Sequence, residues 1–528
     1  VRFGGRCTCS GARFADFCSY VTQLGTDRFK LHVGPRCGGR GVLGVTLGGR
    51  AFSDDLYIYE MCAHNLVDAL VNRLFKPAKS AEKMVRKDAP QWMIMAGVAR
   101  RMGRKLRFMD PMKESEVLRS CTGRQKPIYR KAFEQMPAKV TKKWKVNTPF
   151  VKVEKYTYND KKRRIPRAIM PNHIWTRAYM ARFFKPIEKE MKSWILPGQQ
   201  YPFIAKGASS GKLATLFLEK WMSVRQPVAL SLDVTKFDSS IGLGLKKIEN
   251  LTFRQFSDDP KFREILKFQE QKTRVKLRYD ERGKKRSETI EHDSIVRGSG
   301  HNQTGCGNCL VMAYSCFAVF YELRVEFFVN GDDTIVIVAA EDLKEAVDRM
   351  HRFEYLGLTV RVEQVETNLE KIEWCQCYLT ETELGWRWIR KADRVLSTIL
   401  ANVEYRDARY LGLLSSIALC EASVNPGQPI ISPLCAYVAK LGVKKVRSAI
   451  GLESERRWKL EGSPSEANVL YEVNPRMRCL FEERYGVSPV EQLRIEEQLC
   501  SSQFLATVQE YDWMANDTHP VGVGETRW

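Results

Sequence analysis

Val329-Asn330-Gly331-Asp332-Asp333-Thr334-Ile335-Val336 sets two adjacent aspartates between two apolar runs. Asn-Gly in that setting is the strongest short hairpin signal, because both residues tolerate positive φ. The pattern predicts buried strands over 325–329 and 334–338, with Asp332 and Asp333 at the hairpin tip. Like charges this close repel strongly at low dielectric, so something must compensate them, and a divalent cation is the natural candidate. A bare Gly-Asp-Asp triplet is commonly a solvated turn. The apolar flanks argue against that here.

Working outward, a third carboxylate comes from Asp233, at the end of the apolar run Val228-Ala229-Leu230-Ser231-Leu232-Asp233-Val234. Asp238 follows five residues later, and on a straight strand the two would face opposite sides. The chain must turn after Val234 if both serve one site. A strand-end Asp opposite an Asp-Asp tip suits two Mg²⁺ (or Mn²⁺) ions about 3.5–4 Å apart, as phosphoryl transfer by two metals requires. Between these carboxylates lies Gly298-Ser299-Gly300-His301-Asn302-Gln303-Thr304-Gly305-Cys306-Gly307-Asn308. A Gly-rich loop opening a helix offers backbone N–H groups to phosphate or nucleotide. Taken alone it reads equally as a plain loop and N-cap. Cys306 and Cys309 fall inside this motif, and neither they nor the pairs Cys7/Cys9 and Cys375/Cys377 have a partner pair at zinc-ribbon spacing. The 15 cysteines therefore read as free thiols of a reducing compartment.

The chain has 528 residues, 44% hydrophobic and 28% charged, with a net charge of +23. That length suggests a few subdomains around a sizeable core, and the apolar content excludes a disordered tail. The charge points to a polyanionic partner. Between 100 and 167, 22 Lys and Arg stand against 6 Asp and Glu, interleaved with Phe108, Tyr129, Phe133, Trp144, Phe150, Tyr156 and Tyr158. Basic residues with aromatics suit phosphate contacts plus base stacking. No apolar run reaches spanning length; the longest, over 310–321, stops at Glu322. No signal peptide is expected. The first residue, Val1, reads as that of a fragment, a processed product or the downstream part of a longer translation product.

The coarse pattern reads as Gly/Arg-rich loops over 1–50, a helix over 54–76 and basic helices over 90–150 broken at Pro111, Pro127, Pro137 and Pro149. A charged hairpin follows over 272–294, then a buried helix over 304–321, a second hairpin over 323–340 and a helix over 341–356. Mainly helical sequence runs beyond 385.

In this order, Asp233…Asp238, the Ser-Gly loop to Asn308, and Gly331-Asp332-Asp333 resemble motifs A, B and C of viral RNA-dependent RNA polymerases. Phe150-Val151-Lys152-Val153-Glu154-Lys155 and Lys162-Arg163-Arg164-Ile165-Pro166-Arg167 resemble the basic motif F. The stretch 356–360 resembles motif D, and 372–376 motif E. Val33-Gly34-Pro35, Cys121-Thr122-Gly123-Arg124-Gln125-Lys126 and the motif F stretch are similar to plus-strand polymerases of the tombusvirus group. The resemblance implies an α+β right-hand polymerase with an antiparallel palm sheet and closed fingertips. Fingers and an N-terminal extension would take 1–227, palm 228–255 and 296–385, a finger insertion 256–295, and thumb 386–528. It implies Asp233, Asp332 and Asp333 as catalytic metal ligands. Asp238 and Asn308 would form the hydrogen-bonded pair that reads the ribose 2′-OH, with Ser299 and Thr304 positioning the loop. Lys152, Lys155, Arg164 and Arg167 would clamp the triphosphate, and Arg361 is nearest to the motif D position of a general acid. Two departures stand out: His301 where tombusvirus-like motif B usually has Asp, and Asn172 where a second Arg often closes motif F.

The implied partners are an RNA template and product strand, NTPs and a membrane-anchored replicase segment encoded upstream. The implied location is host cytoplasm, at membrane-associated replication complexes. A reverse transcriptase would share the palm carboxylates, but Asn330-Gly331 and Asn308 argue against it. A basic RNA-coating protein would explain the charge without needing the ordered aspartates. An inactive polymerase fold serving as a scaffold would not need the carboxylates intact.

Overall fold

The computed structural model describes residues 63–75, 85–396, 409–441 and 472–501 apart from short breaks, with Ile399 and strand segments at 39–59, 504–509 and 523–527. The central element is a four-stranded antiparallel sheet built from β1 (Pro227–Val234), β2 (Val325–Asn330), β3 (Asp333–Ala339) and β4 (Val360–Glu366) in the order β2-β3-β1-β4. Strands β1, β2 and β3 are nearly continuous apolar runs because both faces are covered, whereas the edge strand β4 alternates half-buried with exposed residues. Leu230, Leu232, Val234, Phe327, Val329, Val336 and Val338 join the main core, which also contains helices α1 (Pro90–Gly103), α2 (Leu243–Phe253) and α3 (Thr304–Val319). Ala229, Phe328, Ile335 and Ile337 point the other way, onto Phe217, Trp374, Leu379 and Trp388. Period-two alternation thus separates two apolar sets, not apolar from polar.

Helix α3 is buried almost all round, from Cys306 to Val319. The basic hairpin pairs Thr273–Glu281 with Lys284–His292, as expected; residues 282 and 283 are outside the described set. A three-stranded sheet follows β4, made of Glu373–Trp374, Cys377–Thr382 and Gly385–Arg390. Helices Arg409–Val424, Ile431–Leu441, Pro475–Tyr485 and Pro489–Ser501 come after it.

Several sequence readings need correction. Residues 54–76 are not one helix: a strand Leu56–Tyr59 precedes a helix Ala63–Ala69 and a π-turn Leu70–Leu74. Leu56 and Tyr59 fit a helical stripe, but pairing of the strand with Gly39–Gly41 and Tyr156–Thr157 overrides the periodicity. Within the Gly/Arg-rich start, residues 39–51 carry short strands, while 1–38, including Cys7, Cys9 and Val33, fall outside the described residues. Pro127 does not break its helix. It lies in the first turn of Gln125–Glu134, where backbone N–H groups have no intrahelical acceptor. The expected helix over 341–356 divides into an α-helix Leu343–Asp348 and a 3₁₀ stretch Arg349–Leu356, ended by Gly357 at φ +81°. Strand structure also continues past 385, through Arg390.

Candidate active site

The acidic tip forms as expected, one residue out of register. Asn330 pairs with Asp333, so the two-residue loop is Gly331-Asp332. Gly331 takes φ +73°, while Asp332 keeps a negative φ. A Gly at the first loop position marks a II′-type hairpin rather than the I′ type that Asn-Gly suggests.

Strand β1 ends at Val234 and the chain turns, with Lys236 in the left-handed region at φ +51°, into a short helix Phe237–Ser240. That turn brings Asp238 to the start of α3, where Asn308 Nδ2 donates to Asp238 Oδ1 at 2.9 Å. The Asn308 Oδ1 atom is buried without a hydrogen-bond partner. Thr304 Oγ1 donates to the Gly298 carbonyl at 2.7 Å, closing the Gly-rich loop on itself. The Ser299 carbonyl accepts from the Met170 N–H at 2.6 Å, which ties the loop to the strand Ala168–Ile169.

The carboxylates feel one another. Burial first pushes the Asp332 carboxyl up, and Asp238 and Asp233 push the same way, while Arg167 opposes them. Burial first and Asp332 second raise Asp333 to about 6. This is the gathered negative charge that the sequence anticipated, made of hard oxygen donors of the kind a divalent cation takes. Among the described residues, no group of three or more His, Cys, Asp or Glu side chains is gathered closely enough to hold a metal ion, Asp233, Asp332 and Asp333 included. Asp233 instead holds Arg361 at 2.8 Å, its direct cross-strand neighbour on β4.

Lys152 and Arg167 meet on one carboxylate, Glu154, at 2.6 and 3.3 Å. Strands Phe150–Val151 and Ala168–Ile169 pair to bring them together. Lys155 and Arg164 lie outside the described residues. The aromatic interleaving is in part a core feature. Trp144 and Tyr129 are buried and pack under the helix Ile174–Glu190, so neither ring offers a face to a base; Phe108 is fully exposed.

Three contacts escaped the sequence reading. The Trp374 indole N–H donates to the Asp333 carbonyl at 3.2 Å, and the Cys375 thiol reaches Asp333 Oδ2 at 3.4 Å. Arg297, which opens the Gly-rich loop, pairs with Glu249 in full burial. Both departures from the family pattern converge on one residue: Asn172 Nδ2 donates to Asn147 Oδ1 at 3.0 Å, and His301 Nε2 lies 2.8 Å from the same oxygen. The only sequence signal for the contacts on Asn147 was the departures themselves.

A four-stranded antiparallel sheet whose acidic hairpin lies beside a strand-end Asp and a Gly-rich helix start is the arrangement that the polymerase resemblance implies. Comparison with known proteins narrows this. Residues 50–507 match the model of the family described as viral RNA dependent RNA polymerase, and the chain belongs to that family. The family implies the right-hand polymerase fold. Similar proteins named RNA-directed RNA polymerase come from Groundnut rosette virus (25% identity over 74% of this chain and 46% of that protein), Turnip crinkle virus (24%; 85% and 59%) and Tomato bushy stunt virus (23%; 84% and 54%). The tombusvirus-like relationship read from the motifs is therefore sound. The chain spans about half the length of the curated relatives it matches.

Proposed function

We propose that the chain is an RNA-directed RNA polymerase that copies a viral RNA genome by template-directed nucleotidyl transfer from NTPs. The observation that carries this reading is the Asn308–Asp238 hydrogen bond beside the Asp332-Asp333 tip. A polar pair at that place suits recognition of a 2′-OH, the group that separates RNA from DNA, and it disfavours the reverse-transcriptase reading. Asp233, Asp332 and Asp333 would hold two Mg²⁺ (or Mn²⁺) ions. Bound there, the ions would lower the pKa of a primer 3′-OH and neutralise the leaving pyrophosphate. Lys152 and Arg167 offer the triphosphate two cations already gathered on Glu154, and Arg suits bidentate phosphate contacts; Lys155 and Arg164 extend that clamp. Ser299 and Thr304 shape the loop.

Arg361 fits the general-acid role poorly. Its hydrogen bond to Asp233 raises an already high pKa, and a guanidinium does not release its proton. We assign it as a counter-charge that holds Asp233 and must swing away when a cation binds.

We place fingers at 1–227, palm at 228–255 and 296–385, insertion at 256–295 and thumb at 386–528. Pairing of strand Phe504–Gln509 with Leu43–Leu47 supports closed fingertips by joining the two ends of the chain. Among the described residues, no helix is long and apolar enough to cross a membrane. We infer recruitment to host cytoplasmic replication membranes through a membrane-anchored partner. Fractionation of the expressed chain in moderate salt checks this: recovery off membranes agrees, and retention through carbonate washing contradicts it.

The test of the function is primed extension with ribonucleotides, with and without Mg²⁺. Asp332→Asn and Asp233→Asn should each lower addition by orders of magnitude while RNA binding survives. Near-normal addition by both variants removes the reading. RNA binding without any synthesis by the unaltered chain would favour a coating or scaffold protein.

A further inference from the structure

The Arg297–Glu249 ion pair is fully buried on both sides. Arg297 Nη1 donates to Glu249 Oε1 at 2.8 Å, and Nη2 bonds Oε2, so the pair is bidentate. A buried pair of this kind is a poor stabiliser, since well-packed apolar residues of equal volume usually do as well. Its location gives it another use. The Arg297 N–H donates to the Asp238 carbonyl at 2.9 Å, and Arg297 immediately precedes Gly298, on which Thr304 closes the loop. Glu249 stands on α2, the helix that follows Asp238. Gly307, the residue before Asn308, lies directly over the pair. A Cβ there would sit 2.7 Å from Glu249 Oε2 and 3.0 Å from Arg297 Nη2. One turn earlier on α2, the buried Lys246 Nζ donates to the Val296 carbonyl at 2.6 Å, a second strut to the same segment.

Three elements therefore meet around Arg297: the Asp238 carbonyl on its backbone N–H, the base of the Gly-rich loop that follows it, and the first turn of α3 over its side-chain pair with Glu249. Asn308 has little else to aim it. Its Nδ2 bonds Asp238, and its Oδ1 is buried and unpartnered.

We propose that Arg297 and Glu249 are positioning residues for ribose selection, fixing the Asp238–Asn308 pair against the sugar without touching substrate. The proposal rests on the polymerase reading and deepens it. Apolar residues could fill the same volume. They could not fix the angle between α2 and α3 through a bidentate fork, and a shift of a few tenths of an ångström there is felt at the 2′-OH.

The test uses the full chain in primed extension and reads the ratio of kcat/KM for a ribonucleotide to that for its deoxy counterpart. Arg297→Lys keeps the charge and loses the fork. Arg297→Met with Glu249→Met removes both charges together. Each should lower the ratio at least tenfold, mainly through a raised ribonucleotide KM, with deoxynucleotide addition retained. Equal losses for both sugars, with the ratio unchanged, would mean a merely structural pair and overturn the proposal. Should these variants fail to fold, Gly307→Ala tests the same point with every charge in place, and should lower the ratio likewise; an unchanged ratio there overturns the proposal too. Asn308→Ala is the control for the underlying reading. If it leaves discrimination intact, the sugar-reading assignment falls and the proposal with it. If it lowers discrimination while the Arg297 and Gly307 variants do not, only the proposal falls.

Discussion

His301 sits where no charge is welcome. Burial first, then Lys246 and Arg297, hold its pKa well below 6.5. Asn147 Oδ1 and Gln269 Oε1 lie 2.8 and 3.2 Å from its ring nitrogens. The unfolded chain takes up a proton near pH 6.5 while the folded chain resists it. The neutral-His contribution is therefore complete above that pH and is lost as pH falls toward the folded pKa. His173, lowered to about 4 chiefly by burial, acts in the same sense. Thermal melting of the chain and of His301→Asn, followed from pH 7 to 4.5, should show the two curves converging as pH falls. Parallel curves would mean that His301 charges in place. The same imidazole shows how far single residues were legible. Its departure from the family pattern was visible in the sequence. Its partners were not, because Asn147 and Gln269 stand 154 and 32 residues away and only tertiary packing brings them in.

At the scale of the element, strong local patterns survived and boundaries moved. The runs ending at Val234 and starting at Val325 became strands because each face of the sheet is covered by apolar partners. The Gly-rich loop was legible from its order between the aspartates. The turn was misplaced by one residue because Gly alone, not Asn-Gly together, carries the positive φ. The grip on Asp333 by Trp374 and Cys375 was invisible, since it depends on a neighbouring hairpin whose loop residues Cys375 and Gln376 take φ +50° and +62° without a glycine. Phe328 links that hairpin to the acidic tip. Its ring lies 4.7 Å from Trp374, 5.3 Å from Phe217 and 5.9 Å from Trp388, fully buried two residues before Asn330. Phe328→Ala should cost about 3–5 kcal/mol, the usual range for a large aromatic removed from a packed core. Urea unfolding checks it. A loss under about 1 kcal/mol would mean that the site below Asp333 collapses to fill the cavity.

Across the whole molecule, charge and burial separate two roles that the sequence mixed. The 100–167 stretch contains both an apolar scaffold and a cationic surface. Trp144 and Tyr129 belong to the scaffold, whereas Arg100, Arg101, Arg104, Lys105 and Arg107 are exposed at the end of α1 and the turn after it. Phosphate contacts by such side chains release counterions. Affinity then falls linearly with the logarithm of salt, by about 0.7 per contact for a single strand. Replacing Arg101, Arg104 and Lys105 together by Gln should therefore weaken RNA binding by a similar factor for unrelated sequences, and make the salt slope shallower by about two. The three positions are exposed and none is placed in the candidate active site, so melting should not move. Trp144→Ala should do the reverse: it removes a fully buried ring and lowers stability, with RNA affinity of the folded fraction unchanged. Binding isotherms on a short unstructured RNA between low and moderate salt measure both. An unchanged slope in the triple variant would place the RNA on another face, and the excess charge of 100–167 would then be a solvated surface.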